Sequence, residues 1–431
     1  MSYLVIKGGV KLEGSLPAVG AKNAALPLMA ASILIEEPVT FENVPDITDV
    51  DVMVEILEAI GGKILYDRKG TMQIDMSGIH TFQAPYDLVK KIHASFDITG
   101  PLIARFNQAQ VPLPGGCVLG YRGVNFHIEG FQALGASVVI EHGYLIAKAD
   151  KLEGNRILIG RSSVGATKNI LMAACKAKGV TILENAAREP EVADLARFLN
   201  SCGAKIEGVG SSEMRIEGVQ KLHGTTHRII PDRLEAGTWL LSALMTKGDI
   251  QIKGIPPYFL GAFLDKLEAA GAVAQKNEDS IRVTAGKTIH PIEILTSPFP
   301  GFPTDLQPQF VSCLSLASGT SLVTETIFDG RFMYVAELLR MGADIRVVER
   351  TCVVKGVKEL TGAPVEASDI RAGGALILAS LAAQGESRIG GIEYIDRGYE
   401  KPEIRLKLLG AEIERIQESD KLREESRAYR N

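Results

Sequence analysis

Hydrophobic and polar positions along the chain repeat one unit of about seventy residues six times. Each unit begins with a short alternating stretch, which predicts a strand, followed by a run of small and apolar residues, which predicts a helix. A second short strand and an amphipathic helix come next. Each unit then ends with a glycine between small or apolar residues, followed by one or two more strands. These glycines are spaced 68 to 74 residues apart, and they are Gly61, Gly135, Gly203, Gly271, Gly342 and Gly410. This regular spacing identifies the repeated unit as scaffold.

The two helices of each unit differ in their polarity. The first helix, such as Leu376 to Ala383, is almost entirely apolar, so we expect it to be buried within its domain. The second helix has apolar residues at helical spacing, such as Leu195, Phe198 and Leu199, and a polar face that should line the outside. The pattern therefore predicts an α/β fold of βαβαββ-like repeats, in which sheets surround helices.

Length and the chain ends indicate how the six units divide. A chain of 431 residues with 46% apolar residues is long enough for two domains of three units each. The first twenty residues supply strands without a preceding helix, and the last unit lacks the pair of strands that usually ends a unit. We therefore expect these two parts of the chain to join. The predicted domains are 22–229, and 1–21 together with 230–431. The chain then crosses twice between the domains, and the cleft between two domains is the default place for a ligand.

Charge and hydropathy exclude several classes of protein. The net charge is −5, with 23% charged residues, which provides no global positive field for nucleic acid or an anionic membrane. The first residues, Met1 to Lys7, do not resemble a secretory signal, and the apolar runs are too short for a membrane span. We therefore expect a soluble, cytoplasmic protein.

The five cysteines form no close pairs, which argues against both a disulfide framework and a zinc cluster. Cys175, Cys202, Cys313 and Cys352 lie in apolar patterns and are predicted to be packing residues, whereas Cys117 does not. His223 and His227 lie in a segment that resembles a turn and strand, so a metal pair is not expected there. No phosphate loop or dinucleotide motif is found, and neither a metal nor an organic cofactor is implied.

Polar residues interrupt the repeat where helices are predicted to begin. The first helix of each unit, here called the inner helix, is predicted to start at Lys22, His93, Ser163, Arg233, Asp305 and Arg371. The second, called the outer helix, is predicted to start at Asp49, Arg122, Arg188, Pro256, Arg331 and Arg397. Because helix N-termini favour anions, cations placed on them would form an anion site, and its predicted members are Lys22, Arg122, Arg331, Arg371 and Arg397. The alternative is that these cations pair with local carboxylates such as Asp49, Glu189 or Asp396.

Two further features interrupt the repeat. The glycine-rich insertion 111–120 has no equivalent in the other units and suits a lid, and its Cys117 lies near Arg122, which favours a reactive thiolate. The alternative is an incidental thiol in a glycine turn. Asp305 is the one carboxylate among the inner-helix starts, and it is either a plain N-terminal acid or a base surrounded by cations.

Motifs at these breaks resemble one enzyme family. They are GAKNAALP from Gly20, LPGGCVLG from Leu113, SVGAT from Ser163, ENAAREPE from Glu184, FPTDLQPQ from Phe302, TETIFDGRFM from Thr324, SDIRA from Ser368 and DRGYE from Asp396. Together they are similar to the UDP-N-acetylglucosamine 1-carboxyvinyltransferases of the EPSP synthase superfamily, from about residue 4 to 416. The resemblance implies two inside-out α/β barrel (prism) domains with the active site in the interdomain cleft.

The resemblance also implies a reaction and its residues. The enolpyruvyl group of phosphoenolpyruvate would pass to the 3-hydroxyl of UDP-N-acetylglucosamine, the first committed step of peptidoglycan synthesis, with release of phosphate. Cys117 would be the general acid and form a covalent adduct, Asp305 would be the base, and Lys22 and Arg397 would also be catalytic. The phosphoenolpyruvate residues would be Lys22, Asn23, Arg122, Arg331, Arg371 and Arg397. The UDP-sugar residues would be Asn23, His93, Arg122, Gly123, Val124, Asn125, Phe126, Arg161, Ser163, Val164, Asp305 and Ile327.

The chain departs from the family pattern on the sugar-nucleotide side. The family usually has arginine at the position of His93, aspartate at that of Asn125 and proline at that of Gly123, and lysine is common at that of Arg161. One alternative is therefore an enolpyruvyl transferase for another nucleotide or a phosphorylated acceptor such as shikimate 3-phosphate. The non-enzymatic alternative is a nucleotide-sugar sensor. No nucleic acid or membrane partner is expected, and the sequence does not identify a protein partner.

Overall fold

Short strands with alternating buried and exposed residues recur through residues 2–113 and 123–417, which are the part of the chain described by this computed structural model. The alternation arises because successive side chains of a strand point to opposite faces of its sheet. The strands are β1 Ser2–Lys7, β2 Glu13–Pro17, β3 Val39–Glu42, β4 Lys63–Tyr66, β5 Thr71–Asp75, β6 Gln108–Pro112, β7 Ser137–Glu141, β8 Tyr144–Lys148, β9 Arg156–Leu158, β10 Val180–Glu184, β11 Lys205–Glu207, β12 Glu213–Glu217, β13 Thr226–Arg228, β14 Asp249–Lys253, β15 Val273–Lys276, β16 Ser280–Thr284, β17 Glu293–Leu295, β18 Thr320–Thr324, β19 Asp344–Val348, β20 Thr351–Lys355, β21 Pro364–Glu366, β22 Glu386–Gly390 and β23 Glu412–Gln417.

Helices separate these strands. They are α1 Lys22–Ala31, α2 Thr48–Ala59, α3 Tyr86–Val89, α4 Thr99–Phe106, α5 Asn125–Ala133, α6 Val164–Ala174, α7 Pro190–Ser201, α8 Arg233–Met245, α9 Gly261–Ala269, α10 Gln307–Leu314, α11 Val335–Arg340, α12 Ile370–Ala382, α13 Ile392–Ile395 and α14 Pro402–Leu408, with 3-10 helices at Ser32–Leu34, His93–Ile98, Pro257–Leu260 and Thr304–Leu306. The order of strands and helices follows the repeat that the sequence predicts.

The described chain divides into two units. Unit 1 contains residues 2–18 and 232–417, and unit 2 contains residues 19–113 and 123–231. The sheets of unit 1 have the orders β15-β16-β14-β2, β17-β18-β20-β19 and β21-β22-β1-β23. Those of unit 2 have the orders β13-β3-β5-β4, β6-β8-β7 and β11-β12-β10-β9. Each four-stranded sheet has one parallel pair and two antiparallel pairs.

The N-terminal strands join two different sheets of unit 1. Strand β1 lies between β22 and β23, as expected if the start of the chain completes the last repeat. Strand β2 instead pairs in parallel with β14, with Leu16 opposite Ile252. The prediction that the first twenty residues all join the last repeat is therefore wrong for β2. Correspondingly, β13 pairs in parallel with β3 in unit 2, so repeats one and four exchange their opening strands.

The inner helices are buried, as their apolar sequences predict. Every residue of α8 is buried, and so is the stretch from Arg371 to Leu381 of α12. In unit 1, α8, α10 and α12 pack against one another. In unit 2, α6 is buried from Ala166 to Ala174. Each unit therefore has helices at its centre and sheets around them, which confirms the inside-out α/β architecture.

The second helices are less uniform than predicted. Helix α9 buries only Phe263, Leu264 and Leu267 and exposes its polar face, as expected. Helix α7 departs from this pattern because 9 of its 12 residues are buried. Its polar residue Asp194 accepts hydrogen bonds from His227 Nε2, at 3.1 Å, and from the backbone N–H of Ile230, at 3.4 Å. Burial of this polar side is thus compensated by hydrogen bonds to the following segment.

The four described cysteines are buried and carry free thiols: Cys175, Cys202, Cys313 and Cys352. Burial raises the pKa of each thiol well above its ordinary value, to about 12 for Cys175 and Cys352. A thiol with so high a pKa is a poor nucleophile at neutral pH. The structure therefore confirms that these cysteines are packing residues.

Candidate functional site

Asp305 lies between two buried arginines in unit 1. It belongs to the 3-10 helix Thr304–Leu306, which leads directly into α10. Its Oδ1 accepts a hydrogen bond from Arg331 Nη2 at 2.8 Å, and its Oδ2 accepts one from Arg371 Nη2 at 3.1 Å. The arginine side chains are 2% and 6% exposed, whereas that of Asp305 is 26% exposed. The carboxylate thus balances two buried charges and still reaches solvent, as a proton acceptor must.

Arg371 is held at the start of α12. The Asp369 side chain caps this helix by accepting hydrogen bonds from the backbone N–H groups of Arg371 and Ala372, at 2.8 and 3.1 Å. The guanidinium lies over the Tyr399 ring, 5.8 Å from its centroid. Burial opposes the charge on Arg371, but the attraction of Asp305 and Tyr399 outweighs it and raises its pKa above the ordinary value. Arg371 therefore keeps its positive charge.

The prediction that Arg331 and Arg397 open outer helices is wrong. Arg331 lies in a turn that precedes the start of α11 at Val335. Arg397 is half-buried in a turn after α13, and α14 begins only at Pro402. The Arg331 guanidinium instead donates a hydrogen bond to the Asp305 carboxylate and lies 5.5 Å from the centroid of the Phe328 ring. Side-chain contacts rather than a helix N-terminus therefore position Arg331.

A polar network supports this arginine group and was not predicted from the sequence. The Tyr399 hydroxyl is buried and lies 3.2 Å from Thr238 Oγ1 and 3.0 Å from Gln309 Nε2. These residues come from the inner helices α8 and α10. The only sequence signal was that Tyr399 follows Arg397 by two residues in the DRGYE motif. The network ties that motif to the centre of unit 1.

One of the predicted cations, Lys22, pairs with a local carboxylate, as the alternative hypothesis proposed. In unit 2, Lys22 Nζ, at the start of α1, lies 2.6 Å from Asp49 Oδ2, and both side chains are largely buried. In unit 1, Asp396 is engaged by Arg415, with nitrogen–oxygen distances of 2.8 and 2.7 Å. The carboxylate adjacent to Arg397 in the sequence therefore has a different arginine partner.

In unit 2, the structure brings together several residues predicted for the sugar nucleotide. Helix α5 begins at the exposed Asn125, directly after Gly123 and the buried Val124. The next residue, Phe126, packs against Gly160, where a Cβ atom would lie 3.2 Å from its ring.

The neighbouring segment continues this surface. Arg161 is exposed immediately after Gly160, and Ser163 caps α6 by accepting a hydrogen bond from Ala166 N at 3.4 Å. The half-buried Val164 follows as the first residue of α6. The start of α5 and the start of α6 therefore converge.

The remaining described residues predicted for substrates lie on other elements. His93 is half-buried at the start of the 3-10 helix His93–Ile98, and Asn23 is half-buried on α1. Ile327 lies in unit 1, in the loop after β18, where its backbone N–H donates to Glu325 Oε1 at 2.7 Å. The predicted residues Cys117 and Arg122 lie outside the described residues.

A buried charged cluster lies beside the α5 and α6 starts and was missed in the sequence. Lys168 Nζ, on α6, lies 2.6 Å from Asp97 Oδ2, and both side chains are less than one-tenth exposed. Asn169 accepts a hydrogen bond from Gly100 N through Oδ1 at 2.8 Å. His127 of α5 is also buried, with its ring 5.1 Å from that of Phe96. The cluster connects α5, α6 and the 3-10 helix that begins at His93.

His127 provides a pH-dependent contribution to stability that can be measured. Burial and the positive charge of Lys168 lower the pKa of His127 to about 4. Between pH 6.5 and 4 the unfolded chain binds a proton at this histidine and the folded chain does not, so stability present above pH 6.5 is lost as the pH falls. We expect a loss of roughly 3 kcal/mol over this range, measured by urea denaturation at several pH values.

A His127→Leu variant is the control for this prediction because it keeps the other titrating groups. The wild-type protein should lose more stability than the variant as the pH falls from 7 to 4. Equal pH dependence of the two proteins would contradict the prediction.

Within residues 2–113 and 123–417, no group of three or more His, Cys, Asp or Glu side chains is placed to hold a metal ion. In the same residues, no helix is long and apolar enough to cross a membrane.

Comparison with known proteins identifies the family and the fold that this chain resembles. Residues 6–406 match the family described as EPSP synthase (3-phosphoshikimate 1-carboxyvinyltransferase). The chain is 49% identical over 416 residues to a UDP-N-acetylglucosamine 1-carboxyvinyltransferase of Hydrogenovibrio crunogenus, covering 96% of this chain and 100% of the relative. The structure is similar to the enolpyruvyl transferase NikO of Streptomyces tendae, with a TM-score of 0.87, 26% identity and coverage of 96% and 98%. EPSP synthase of Acinetobacter baumannii shares the fold, with a TM-score of 0.74, 18% identity and coverage of 97% and 100%.

Proposed function

This chain belongs to the EPSP synthase family, and from that premise we propose that it transfers the enolpyruvyl group of phosphoenolpyruvate to the 3-hydroxyl of UDP-N-acetylglucosamine. The observation that carries the proposal is the 49% identity, over nearly the full length of both chains, to a UDP-N-acetylglucosamine 1-carboxyvinyltransferase. The reaction would serve peptidoglycan synthesis, and with it cell-wall biogenesis, cell shape and cell division. Because both substrates are soluble phosphorylated metabolites, we place the enzyme in the cytoplasm.

The proposed reaction is an addition followed by an elimination. The acceptor hydroxyl loses its proton as its oxygen bonds to C2 of phosphoenolpyruvate, and a proton adds to the methylene carbon C3. Loss of a proton from C3 and departure of phosphate then restore the double bond. The chemistry needs a base, an acid and cations that stabilise the phosphate and carboxylate. No metal or organic cofactor takes part in this proposal.

Asp305 is the proposed base at the acceptor hydroxyl. Its partly exposed carboxylate between Arg331 and Arg371 supports this role, because it has hydrogen-bonding capacity and solvent access. Cys117 is the proposed acid at C3 and the site of a covalent adduct with phosphoenolpyruvate. These two assignments separate the proton acceptor from the proton donor.

The remaining assignments divide between the two substrates. For phosphoenolpyruvate, Lys22 and Arg122 would hold the phosphate, Asn23 would lie nearby, and Arg331, Arg371 and Arg397 would balance the anionic charge. For the sugar nucleotide, the convergence of the α5 and α6 starts supports a binding surface formed by Gly123, Val124, Asn125, Phe126, Arg161, Ser163 and Val164. His93, Asn23, Arg122, Asp305 and Ile327 complete the proposed acceptor residues.

A second candidate is an enolpyruvyl transferase that acts on a different nucleotide. The observation in its favour is the combination of His93 and Asn125, at positions where arginine and aspartate are usual among the relatives that the sequence resembles. A nucleotide-sugar sensor without activity is less well supported, because a sensor needs neither the base nor the acid assigned above.

Phosphate release tests the proposal directly. The full chain is incubated with phosphoenolpyruvate and, in separate reactions, UDP-N-acetylglucosamine, shikimate 3-phosphate or UMP. Release with UDP-N-acetylglucosamine alone is the expected result. Faster release with another acceptor would favour the second candidate, and no release with any acceptor would favour the sensor.

A His93→Arg variant tests the importance of the departure at this position. A permanent guanidinium charge should strengthen attraction to an anionic nucleotide, whereas histidine is only partly protonated near neutral pH. We expect the KM for UDP-N-acetylglucosamine to fall about threefold to tenfold, the fold-change of roughly 1 kcal/mol, with little change in the KM for phosphoenolpyruvate. His80→Arg is a control because His80 is an exposed histidine of the same unit. An unchanged or higher acceptor KM in His93→Arg would contradict this prediction.

A further inference from the structure

Glu325 is a fully buried carboxylate that follows β18 and is surrounded by hydrogen-bond donors. Its side chain has no measurable exposure to solvent. Oε1 accepts hydrogen bonds from Thr296 Oγ1 at 3.0 Å and from the backbone N–H groups of Ile327 and Phe328 at 2.7 and 3.2 Å. Oε2 accepts one from Thr304 Oγ1 at 2.8 Å. Four donors to one carboxylate compensate for its burial and fix its position.

These hydrogen bonds connect two segments that carry proposed substrate residues. Thr304 directly precedes Asp305 in the same 3-10 helix, so the bond to Oε2 holds the turn that presents Asp305. The bonds to Oε1 hold the Ile327–Phe328 loop. Phe328 in turn lies against the guanidinium of Arg331, which donates to Asp305. A closed ring of contacts thus returns from Asp305 to Glu325.

Thr296, which directly follows β17, also holds the Glu325 carboxylate. Its hydroxyl oxygen accepts a hydrogen bond from Thr326 N at 2.9 Å while donating to Glu325. Thr326 Oγ1 donates to the backbone oxygen of Thr296 at 2.6 Å. The position of the Glu325 carboxylate is therefore set by the sheet, and the two loops are aligned with respect to it.

We propose that Glu325 is a positioning residue for the transfer step: it aligns the Asp305 turn and the Ile327 loop with respect to each other. This role rests on the proposed function, in which Asp305 is the base and Ile327 contacts the sugar nucleotide. A general base must lie within hydrogen-bonding reach of the proton it removes, and a displacement of about 1 Å can cost roughly 100-fold in rate. A buried carboxylate shared by both loops would prevent such a displacement.

Two variants separate the two loops. Glu325→Gln preserves the shape of the side chain, but its NH₂ group cannot accept the hydrogen bonds that one carboxylate oxygen accepts. We expect kcat to fall about 10- to 100-fold and the KM for UDP-N-acetylglucosamine to rise. Thr304→Val removes only the bond that holds the Asp305 turn and leaves the Ile327 loop in place, so we expect a lower kcat with a smaller rise in the acceptor KM than Glu325→Gln causes.

Thr351→Val is the matched control. Thr351 Oγ1 lies 3.0 Å from the Oγ1 atom of Thr324, which is the last residue of β18 and directly precedes Glu325. This variant therefore loses a threonine hydrogen bond next to Glu325 but leaves the contacts of the two loops in place. It should retain the kinetic constants of the wild-type enzyme. If Glu325 had a purely structural role, Glu325→Gln and Thr304→Val would lower thermal stability, but the two variants would not differ in how they change kcat and the acceptor KM.

The outcomes distinguish this role from the proposed function. Suppose that the wild-type enzyme releases phosphate and that Glu325→Gln is folded. If the kcat and acceptor KM of this variant are then within twofold of wild type, the role of Glu325 is overturned and the proposed function is not. Absence of release by the wild-type enzyme with UDP-N-acetylglucosamine overturns the proposed function and this role with it. The expected combination of kinetic changes supports both.

Discussion

An Asp305→Asn variant is expected to lose about 10²- to 10⁴-fold of kcat for enolpyruvyl transfer, the usual contribution of a positioned general base. Asparagine preserves the size of the side chain and one accepting oxygen but cannot take up the hydroxyl proton. In the structure, Asp305 is the counterion of Arg331 and Arg371 as well as the proposed base. The substitution therefore removes the proton acceptor while leaving the two cations in place.

Substrate binding distinguishes these two roles of Asp305. Removing the negative charge should leave phosphoenolpyruvate binding unchanged or tighter, because Arg331 and Arg371 then attract the anionic substrate without competition. Turnover is measured by phosphate release, and phosphoenolpyruvate binding by calorimetry. A variant that turns over within threefold of the wild-type rate would show that Asp305 acts as a counterion and not as the base.

Asp329→Asn is the matched control for this experiment. Asp329 also pairs with an arginine, Arg350, but both side chains are substantially exposed. The same chemical change at an exposed pair should alter neither kcat nor stability by much, because exposed ion pairs contribute little. Loss of activity in both variants would indicate a general effect of charge and contradict the specific role of Asp305.

A Lys168→Met variant is expected to reduce the free energy of unfolding by about 3 to 5 kcal/mol, the typical cost of breaking a buried ion pair. The substitution leaves Asp97 buried without its partner at 2.6 Å. Burial already raises the pKa of Asp97 above its ordinary value, and the charge of Lys168 opposes that rise. Without Lys168, Asp97 must either bind a proton or remain as an uncompensated buried charge.

A double variant tests the electrostatic explanation. Asp97→Leu combined with Lys168→Met removes both charges, and apolar replacement of a buried pair is often neutral or stabilising, so most of the lost stability should return. Lys91→Met is the control, because Lys91 pairs with Glu55 at an exposed site of the same unit and should cost less than about 1 kcal/mol. A double variant no more stable than Lys168→Met would contradict the explanation.

The measurement can assign the loss to unit 2. Trp239, the one tryptophan of the sequence, is buried on α8 of unit 1, so its fluorescence reports on that unit. Circular dichroism reports on helices of both units. In urea, Lys168→Met should shift the dichroism transition to lower concentration by more than it shifts the fluorescence transition. A shift confined to the fluorescence signal would contradict the assignment to unit 2.

Local patterns in the sequence determined the repeat and the character of its elements. The alternation of strand residues and the nearly apolar inner helices depend on neighbouring positions, so helices α8 and α12 were predicted as buried and found so. The four buried cysteines also followed from their apolar surroundings. Family resemblance added the assignment of Asp305, Arg331 and Arg371 to one reaction.

The tertiary structure decided which side chains meet. Asp305 contacts arginines 26 and 66 positions later in the chain, and Asp97 contacts a lysine 71 positions later, separations that no local pattern specifies. It also decided that β2 joins β14, because equivalent repeats offer similar strands and their choice depends on how the whole unit packs. The role proposed for Glu325 became visible for the same reason: its donors lie in three separate segments, and only folding brings them to one carboxylate.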